Sequence, residues 1–413
     1  MSLRLRSRRD WGRLGMTSEW KTSPLRDLVG FISKGIAPSY TDEESETTVR
    51  VLNQKCNRNF RITYSESRLH DLSRKKVPTE RFVRIDDILI NSTGAGTAGR
   101  IAQICNLPCD TIVDGHMIII RANNKVSQKY LGYAMKAHQW EVLQLDEGST
   151  GQTELNRERL LDEIMISYPT SFALQEMIVK TLEGIDRKLL INEKVNDNLQ
   201  QQAQAIFHEW FLTQVEKAPE DYCIVSLADL MDYAGGSQPP ASMFISEPKD
   251  GYIRFVQIRD YESDSHLTYI PISPRNKLCD ESDIMIARYG AALGRICFGL
   301  NGAYNVALAK VFPKQPYFRE FLRCYLSSRE FYEGINNKGG RSAQAGFNQS
   351  DIRSFELYIP REESMFHAFD NIAKPMFEKR LNIIKENSEL AKLRDTLLPK
   401  LMSGEIDVSD IQL

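Results

Sequence analysis

The chain has no apolar run approaching the ~20 residues that a membrane-spanning helix needs. Its first residues, Met1 to Gly15, are basic but have no apolar centre, so they do not read as a secretory signal. They read instead as a basic, mobile extension over 1–16, within which Met16 is a candidate start. The seven cysteines are scattered, with no CxxC pair and no histidine at zinc spacing, which argues against a structural metal. Unpaired, scattered cysteines suit reduced thiols and a cytoplasmic protein. Excess charge of one sign is also lacking: 53 Lys and Arg face 55 Asp and Glu, a net charge of −2. A chain of this balance that binds DNA tightly needs part of the phosphate neutralisation from a partner.

Catalytic signatures are equally scarce. The sequence has no GxSxG, no HExxH and no GxxxxGK[ST], and it lacks the Asn/Asp-Pro-Pro-aromatic run of an amino-methyltransferase. Ser73-Arg74-Lys75-Lys76 matches SxxK without companion motifs. Asp10 with Glu19-Trp20-Lys21 is the nearest approach to a nuclease carboxylate cluster. Gly94-Ala95-Gly96-Thr97-Ala98-Gly99 matches GxGxxG after a predicted strand, and Asp114 lies near the ribose-binding distance. A dinucleotide site needs a helix N-terminus next. Arg100 to Cys105 instead alternates like a strand, so a tight turn is the better account. His116, ahead of Met117-Ile118-Ile119-Ile120, reads as a strand-end histidine. No catalytic centre and no cofactor site emerge.

What the chain does have is a repeat. Ser33-Lys34-Gly35-Ile36-Ala37-Pro38 is echoed by Gly235-Gly236-Ser237-Gln238-Pro239-Pro240. Asp87-Ile88-Leu89-Ile90, running on to Gly94 and Gly99-Arg100-Ile101, is echoed by Asp283-Ile284-Met285-Ile286, Gly290 and Gly294-Arg295-Ile296. A polar loop recurs at 150–156 and 342–348, and a short strand ends at Pro169 and again at Pro360. Short strands and helices without a βαβ rhythm predict an α+β fold. The expected domains are residues 17–169 and 216–360, each followed by a helix, over 170–215 and 361–413. Charge differs along the chain: residues 51–100 carry ten Lys and Arg against five Asp and Glu, whereas 221–355 carry fifteen of each.

Each helix carries a seam in alternating steps of four and three, the spacing of a coiled coil. The first runs Ile178, Leu182, Ile185, Leu189, Asn192, Asn196, Leu199, Ala203, Ile206, Trp210. The second runs Phe369, Ala373, Met376, Arg380, Ile383, Asn387, Leu390, Arg394, Leu397, Leu401. Asn196 and Asn387, 191 residues apart, share a seam position and are expected to face each other and fix register. At 1.5 Å per residue each helix spans about 60 Å. Gly184 and Pro375 predict a bend or interruption about three turns in.

The ending Leu393-Arg394-Asp395-Thr396-Leu397-Leu398-Pro399-Lys400-Leu401-Met402-Ser403-Gly404-Glu405-Ile406 resembles the C-terminal signature of type I restriction-modification specificity subunits. Ile185-Asp186-Arg187-Lys188 through Phe207-His208-Glu209-Trp210-Phe211 resembles the central conserved region of that family. The duplicated turn is similar to its target recognition domains. One departure is Pro169-Thr170-Ser171, where many members carry Pro-Pro-Leu.

The resemblance implies a non-catalytic DNA-reading subunit. Two target recognition domains in tandem repeat, separated by two long helices in an antiparallel coiled coil, would each read half of a bipartite, asymmetric site in double-stranded DNA. The helices would set the spacer and dock two methylation subunits, which carry S-adenosylmethionine and adenine N6 methylation. ATP-driven restriction subunits would complete the complex. An antiparallel pair of repeats gives a pseudo-two-fold axis, matching half-sites about one helical turn, or 34 Å, apart.

Base readout draws on Arg, Lys, Asn, Gln, Ser and Thr aimed into the major groove. The candidates in the first domain are Lys34, Ser39, Tyr40, Asn53, Gln54, Arg58, Asn59, Arg61, Arg74, Lys75, Lys76 and Gln152. In the second they are Ser237, Gln238, Gln257, Arg259, Tyr261, Arg288, Tyr289, Arg341 and Gln344. The rival reading is a coiled-coil interaction scaffold with no DNA role, separable by salt-dependent gel shift with the partner. A methyltransferase with its own cofactor site is disfavoured by its missing motifs.

Overall fold

The computed structural model describes residues 19–147, 154–214, 219–339 and 346–408. They form an α+β protein of two compact units, Met1–Lys188 with Leu390–Leu413, and Leu189–Glu389. The division falls within both long helices, so each unit combines one sheet-rich domain with a piece of each helix.

In the first unit the strand Trp20–Pro24 pairs antiparallel with Met165–Pro169 and closes the domain onto its helix. The main sheet is four-stranded and antiparallel, in the order Val29–Lys34, Met117–Ala122, Ile88–Asn91, Ile101–Gln103. The run of isoleucines and leucines along the central strands reflects burial on both faces. Ile88, Ile90, Ile118 and Ile120 point into a core shared with Leu131, Ile178, Leu182, Leu398 and Leu401. Leu89, Met117 and Ile119 alternate to the other side and pack with Leu52, Val83 and Val113. That second core underlies another four-stranded sheet, in the order Thr111–Val113, Thr48–Leu52, Arg68–Asp71, Tyr40–Thr41. Its first pair is parallel.

The second unit repeats this plan with different residues. Tyr222–Ser226 pairs with Glu356–Pro360. The main sheet runs Met231–Gly235, Leu308–Pro313, Met285–Ala287, Ile296–Cys297, and the second sheet again contains a parallel pair, Tyr252–Val256 with Gly302–Tyr304. Ile284 and Ile286 face the helices, whereas Met285 and Leu308 face the second sheet. Here the helix-side core is aromatic: the Phe211 ring lies 4.8 Å from Phe321, 5.2 Å from Phe369 and 5.4 Å from Phe366.

Two details of the repeat have physical causes. A Cβ on Gly35 would stand 2.1 Å from the Asp114 carbonyl oxygen, and one on Gly236 would stand 2.2 Å from that of Asn305, so only glycine fits either crossing. The repeated Asp just ahead of the central strand is an anchor, buried at Asp87 and partly buried at Asp283. Asp87 is gripped by the Arg121 guanidinium through two bonds of 2.7 Å and accepts from the Arg84 amide. Asp283 takes Lys310 at 2.5 Å and the Asp280 amide at 2.8 Å.

The first long helix, Phe172–Phe207, continues as a π-helical turn over His208–Thr213, and the second spans Glu363–Met402. Neither Gly184 nor Pro375 interrupts its helix. Gly184 borders open space, and in the second helix the many packed turns outweigh the ~3 kcal/mol that an internal proline costs.

The register expected from the seam is corrected by four residues. Within the second unit Asn387 is met by Asn192, whose amide donates to the Asn387 Oδ1 at 2.7 Å and to Glu386 at 2.9 Å. Further along, Arg380 donates to Gln200 at 2.7 Å, so partner numbers fall as helix numbers rise, the mark of antiparallel pairing. Asn196 therefore lies one turn beyond Asn387, and its Oδ1 is buried with no hydrogen-bond partner among the described residues. Equal positions in a repeat need not coincide across an antiparallel seam.

Candidate nucleic-acid interface

In each unit the central strand of the main sheet ends in a glycine-rich turn that carries exposed polar groups. In the first, Gly94, Gly96 and Gly99 have φ of 117°, 67° and 83°, and the next strand begins at Ile101, so no helix follows to receive a pyrophosphate. Asp114 is spent on the fold, accepting the His116 amide at 2.9 Å, and burial raises its carboxyl. Asn305 does the same for Ala307 in the second unit.

The first-unit candidates fall into three groups. Lys34 forms an ion pair with Glu154, beside Thr93, which bridges to the same Glu154 backbone. Gln54 borders Gly94, and its Oε1 is buried without a partner among the described residues. Asn53 is a cap, accepting from the Lys55 amide and donating to the Glu66 carbonyl.

The second group is a hairpin, Asn57–Arg58 paired with Arg61–Ile62. Its two loop residues, Asn59 and Phe60, both have positive φ, at 52° and 60°. Such a turn suits asparagine; an aromatic at the second position is a strained choice. The Phe60 ring is held by the Lys136 ammonium 5.0 Å from its centroid, while Arg58 and Asn59 are exposed.

The third group surrounds His70. The Ser39 amide donates to its Nδ1, and the Tyr40 ring is covered by the Arg68 guanidinium at 3.6 Å. Arg74 pairs with Asp71 at 3.1 Å, and Lys75 donates to the Ala37 carbonyl at 2.7 Å. Lys76 is exposed beside them.

In the second unit Arg288 and Tyr289 take the places of Ser92 and Thr93, since the Ser92 amide bonds to the His116 carbonyl and the Arg288 amide to the Ala307 carbonyl. The Arg288 guanidinium lies 5.0 Å from the Tyr289 ring centroid and 5.8 Å from that of Phe347. Ser237 bridges to Asn305 nearby, and Gln238 is exposed next to it. Gln257 and Arg259 form a separate cluster through Thr268. Tyr261 turns its hydroxyl into the interior, where burial raises its pKa and leaves it without a hydrogen-bond partner among the described residues. Gln152, Arg341 and Gln344 lie outside the described residues.

Sequence reasoning singled out neither Phe60 nor Arg68. For Phe60 the available signal was an aromatic between Arg58 and Arg61, whereas Arg68 and Tyr40 lie far apart in sequence and meet only through strand pairing. Among the described residues no cluster of potential metal ligands occurs, and no helix is long and apolar enough to cross a membrane.

A duplicated α+β domain, each copy tied to long antiparallel helices and presenting a variable polar rim, defines a tandem recognition protein. Residues 17–201 match the family model described as the type I restriction modification DNA specificity domain. The type I restriction enzyme MjaIX specificity subunit of Methanocaldococcus jannaschii is 25% identical over 330 residues, covering 73% of this chain and 74% of its own length. The HindI specificity subunit of Haemophilus influenzae is 29% identical over 103 residues, 25% of this chain and 22% of its own. The crystal structure of a type I restriction-modification S subunit from M. genitalium shares the fold, with a TM-score of 0.56 at 16% identity. It covers 94% of this chain and 98% of its own. Residues 17–201 thus match a type I restriction modification DNA specificity domain, and over 73% of its length the chain is similar to a type I specificity subunit.

Proposed function

We propose that each sheet-rich domain reads one half of a bipartite, asymmetric site in double-stranded DNA, and that the long helices set the gap between the halves. The observation that carries this is the repeat itself. The framework of glycine crossings, anchoring aspartates and closing strands recurs, while the rim differs: Ser92 and Thr93 in one unit, Arg288 and Tyr289 in the other. Two like scaffolds with unlike polar rims suit two unlike half-sites. Backbone contacts would position the duplex, and a few side chains would read base edges.

The chain itself would carry no chemistry. The helices would dock two methylation subunits that bring S-adenosylmethionine, and restriction subunits would cut DNA in the full cytoplasmic complex. The near-neutral charge supports a partner-assisted complex, because phosphate neutralisation must be shared.

The test exchanges residues 17–169 for the matching domain of a relative and maps the methylated motif with the partner present. One half of the motif should change while the other half and the gap persist. Change in both halves would sink the modular reading, and binding that ignores DNA sequence would return the scaffold reading.

A further inference from the structure

The second unit contains a cavity of about 460 Å³ where its domain meets the helices. Its walls include Tyr261, Phe298 and Arg323 from the domain and Gln200, Phe377 and Arg380 from the helices. Arg323 and Arg380 are 3% and 8% exposed, yet both are cationic and share the same two rings. The Arg323 guanidinium lies 5.1 Å from the Phe298 centroid and 4.8 Å from that of Phe377. For Arg380 the corresponding distances are 4.7 and 5.5 Å.

Only part of this charge is answered. Arg323 bonds Glu320 at 2.8 Å, and its second arm takes the Ser282 carbonyl. Arg380 meets the neutral Gln200 amide oxygen. One nitrogen of each guanidinium and the Tyr261 hydroxyl are buried without a partner among the described residues. Burial, and then the neighbouring Arg323, bring the Arg380 pKa down to about 10. The Asp197 carboxylate, which also lines the cavity, partly offsets this by raising the Arg380 pKa, but the hydrogen bond of Arg380 goes to Gln200. An incompletely compensated buried cation is costly to keep.

The repeat shows that this arrangement is not required by the fold. Counting along the matched elements, Arg323 stands where the first unit has Gly132, and Phe298 where it has Gln103. Phe377 stands where it has Asp186, and Arg380 where it has Leu189. The first unit fills the helix position with a carboxylate; the second fills it with an aromatic and adds a cation.

We infer that the second unit binds a small oxyanion of the phosphate class between Arg323 and Arg380. Two guanidiniums offer the forked donors that phosphate oxygens take, and the Tyr261 hydroxyl can complete the cradle. The volume suits inorganic phosphate or a mononucleotide. An occupied site would tie the second recognition domain to the second long helix through one ion. The inference concerns this cavity alone and stands apart from the reading of DNA by the rims.

The test uses the full chain in chloride buffer, titrated with sodium phosphate, adenosine monophosphate, or sodium chloride at matched ionic strength. Unfolding temperature and calorimetric heat are read. Phosphate or the nucleotide should raise the unfolding temperature saturably, and chloride should not. A tighter nucleotide identifies a nucleotide site; equal affinity identifies bare phosphate. Arg380→Leu, the residue of the first unit, should weaken binding at least about tenfold. Phe377→Asp supplies the carboxylate that Asp186 supplies in the first unit. It should abolish the phosphate response and raise the unfolding temperature in chloride. A response no larger than that to chloride overturns the site, as does an unchanged response in both variants. The wild-type titration decides if either variant fails to fold.

Discussion

Where each sheet-rich domain meets the long helices, the two units solve the same packing problem with opposite electrostatics. In the first, Asp186 sits on the helix among three donors. It accepts from the Tyr133 hydroxyl at 2.9 Å, and Arg394 and Lys136 approach at 3.3 and 3.4 Å. Burial, opposed by Asp186, lowers the Lys136 pKa. The site is closed by groups of its own. In the second unit the equivalent Phe377 offers only ring faces, and two guanidiniums stack on it. The framework is therefore duplicated while the chemistry where domain meets helix is not. What differs between copies of a repeat is where function can be sought; what persists is where the fold is most constrained.

That comparison can be broken from either side. The shared part is the more fragile. Gly35→Ala and Gly236→Ala would each place a Cβ about 2 Å from backbone carbonyls that cannot move independently. Each is expected to cost about 4 kcal/mol, in the range kept for severe packing faults. Hydrogen exchange should show the loss confined to the unit that carries the change. A mild effect in one unit alone would mean that the two crossings are not equivalent.

The differing part comes next. Asp186→Leu leaves Lys136 and Arg394 without the carboxylate between them. Asp186 is 28% exposed and Arg394 keeps Asp395, so the expected cost is about 1–2 kcal/mol, below that of a fully buried pair. Urea unfolding monitored in the first unit should register it, and Asp186→Asn should recover part through the Tyr133 bond. If Asp186→Leu is neutral, the cations reach solvent and the contrast with Phe377 loses its meaning.

The seam gives a smaller and two-signed effect. Asn196→Leu removes a buried oxygen that has no partner among the described residues and is expected to stabilise by about 1 kcal/mol, whereas Asn192→Leu strands the Asn387 amide oxygen and should destabilise by a similar amount. Opposite signs in thermal unfolding would support the observed register. Matching signs would favour the register read from the repeat.

These residues also mark how far the sequence was legible. The repeat, the α+β class, the closing strands at Pro169 and Pro360 and the paired glycines were all readable, because backbone constraints leave a residue-type signature at fixed spacing. The pairing of Asn387 was not, because antiparallel register depends on helix length and packing rather than on repeat position. The second-unit cavity had one legible trace: Arg380 interrupts an apolar seam where the first copy has Leu189. Its meaning needed Arg323, Phe298 and Phe377, which are distant in sequence and meet only in the fold. The rim candidates were read by residue type alone, and type does not reveal which cations the fold has already engaged.

The smallest effect concerns that last point. Arg74, Lys75 and Lys76 read alike in sequence, as a basic run available to phosphate. In the structure Asp71 engages Arg74, the Ala37 carbonyl engages Lys75, and Lys76 remains exposed with no ion pair among the described residues. A phosphate contact by Arg74 or Lys75 would have to compete with these bonds, but one by Lys76 would not. Lys76→Gln should therefore lower the slope of log binding constant against log salt by about 0.9, one phosphate's share. The loss should be equal for cognate and unrelated duplexes, because phosphate contacts carry no sequence information. Lys75→Gln should leave the slope nearly unchanged and loosen the loop around His70, whose Nε2 also contacts the Lys75 carbonyl. Binding titrations across a salt series, with the methylation subunit present, separate the two. A larger drop for Lys75→Gln than for Lys76→Gln would mean that DNA displaces the Ala37 bond, so the free-chain contacts do not mark which cations meet the duplex.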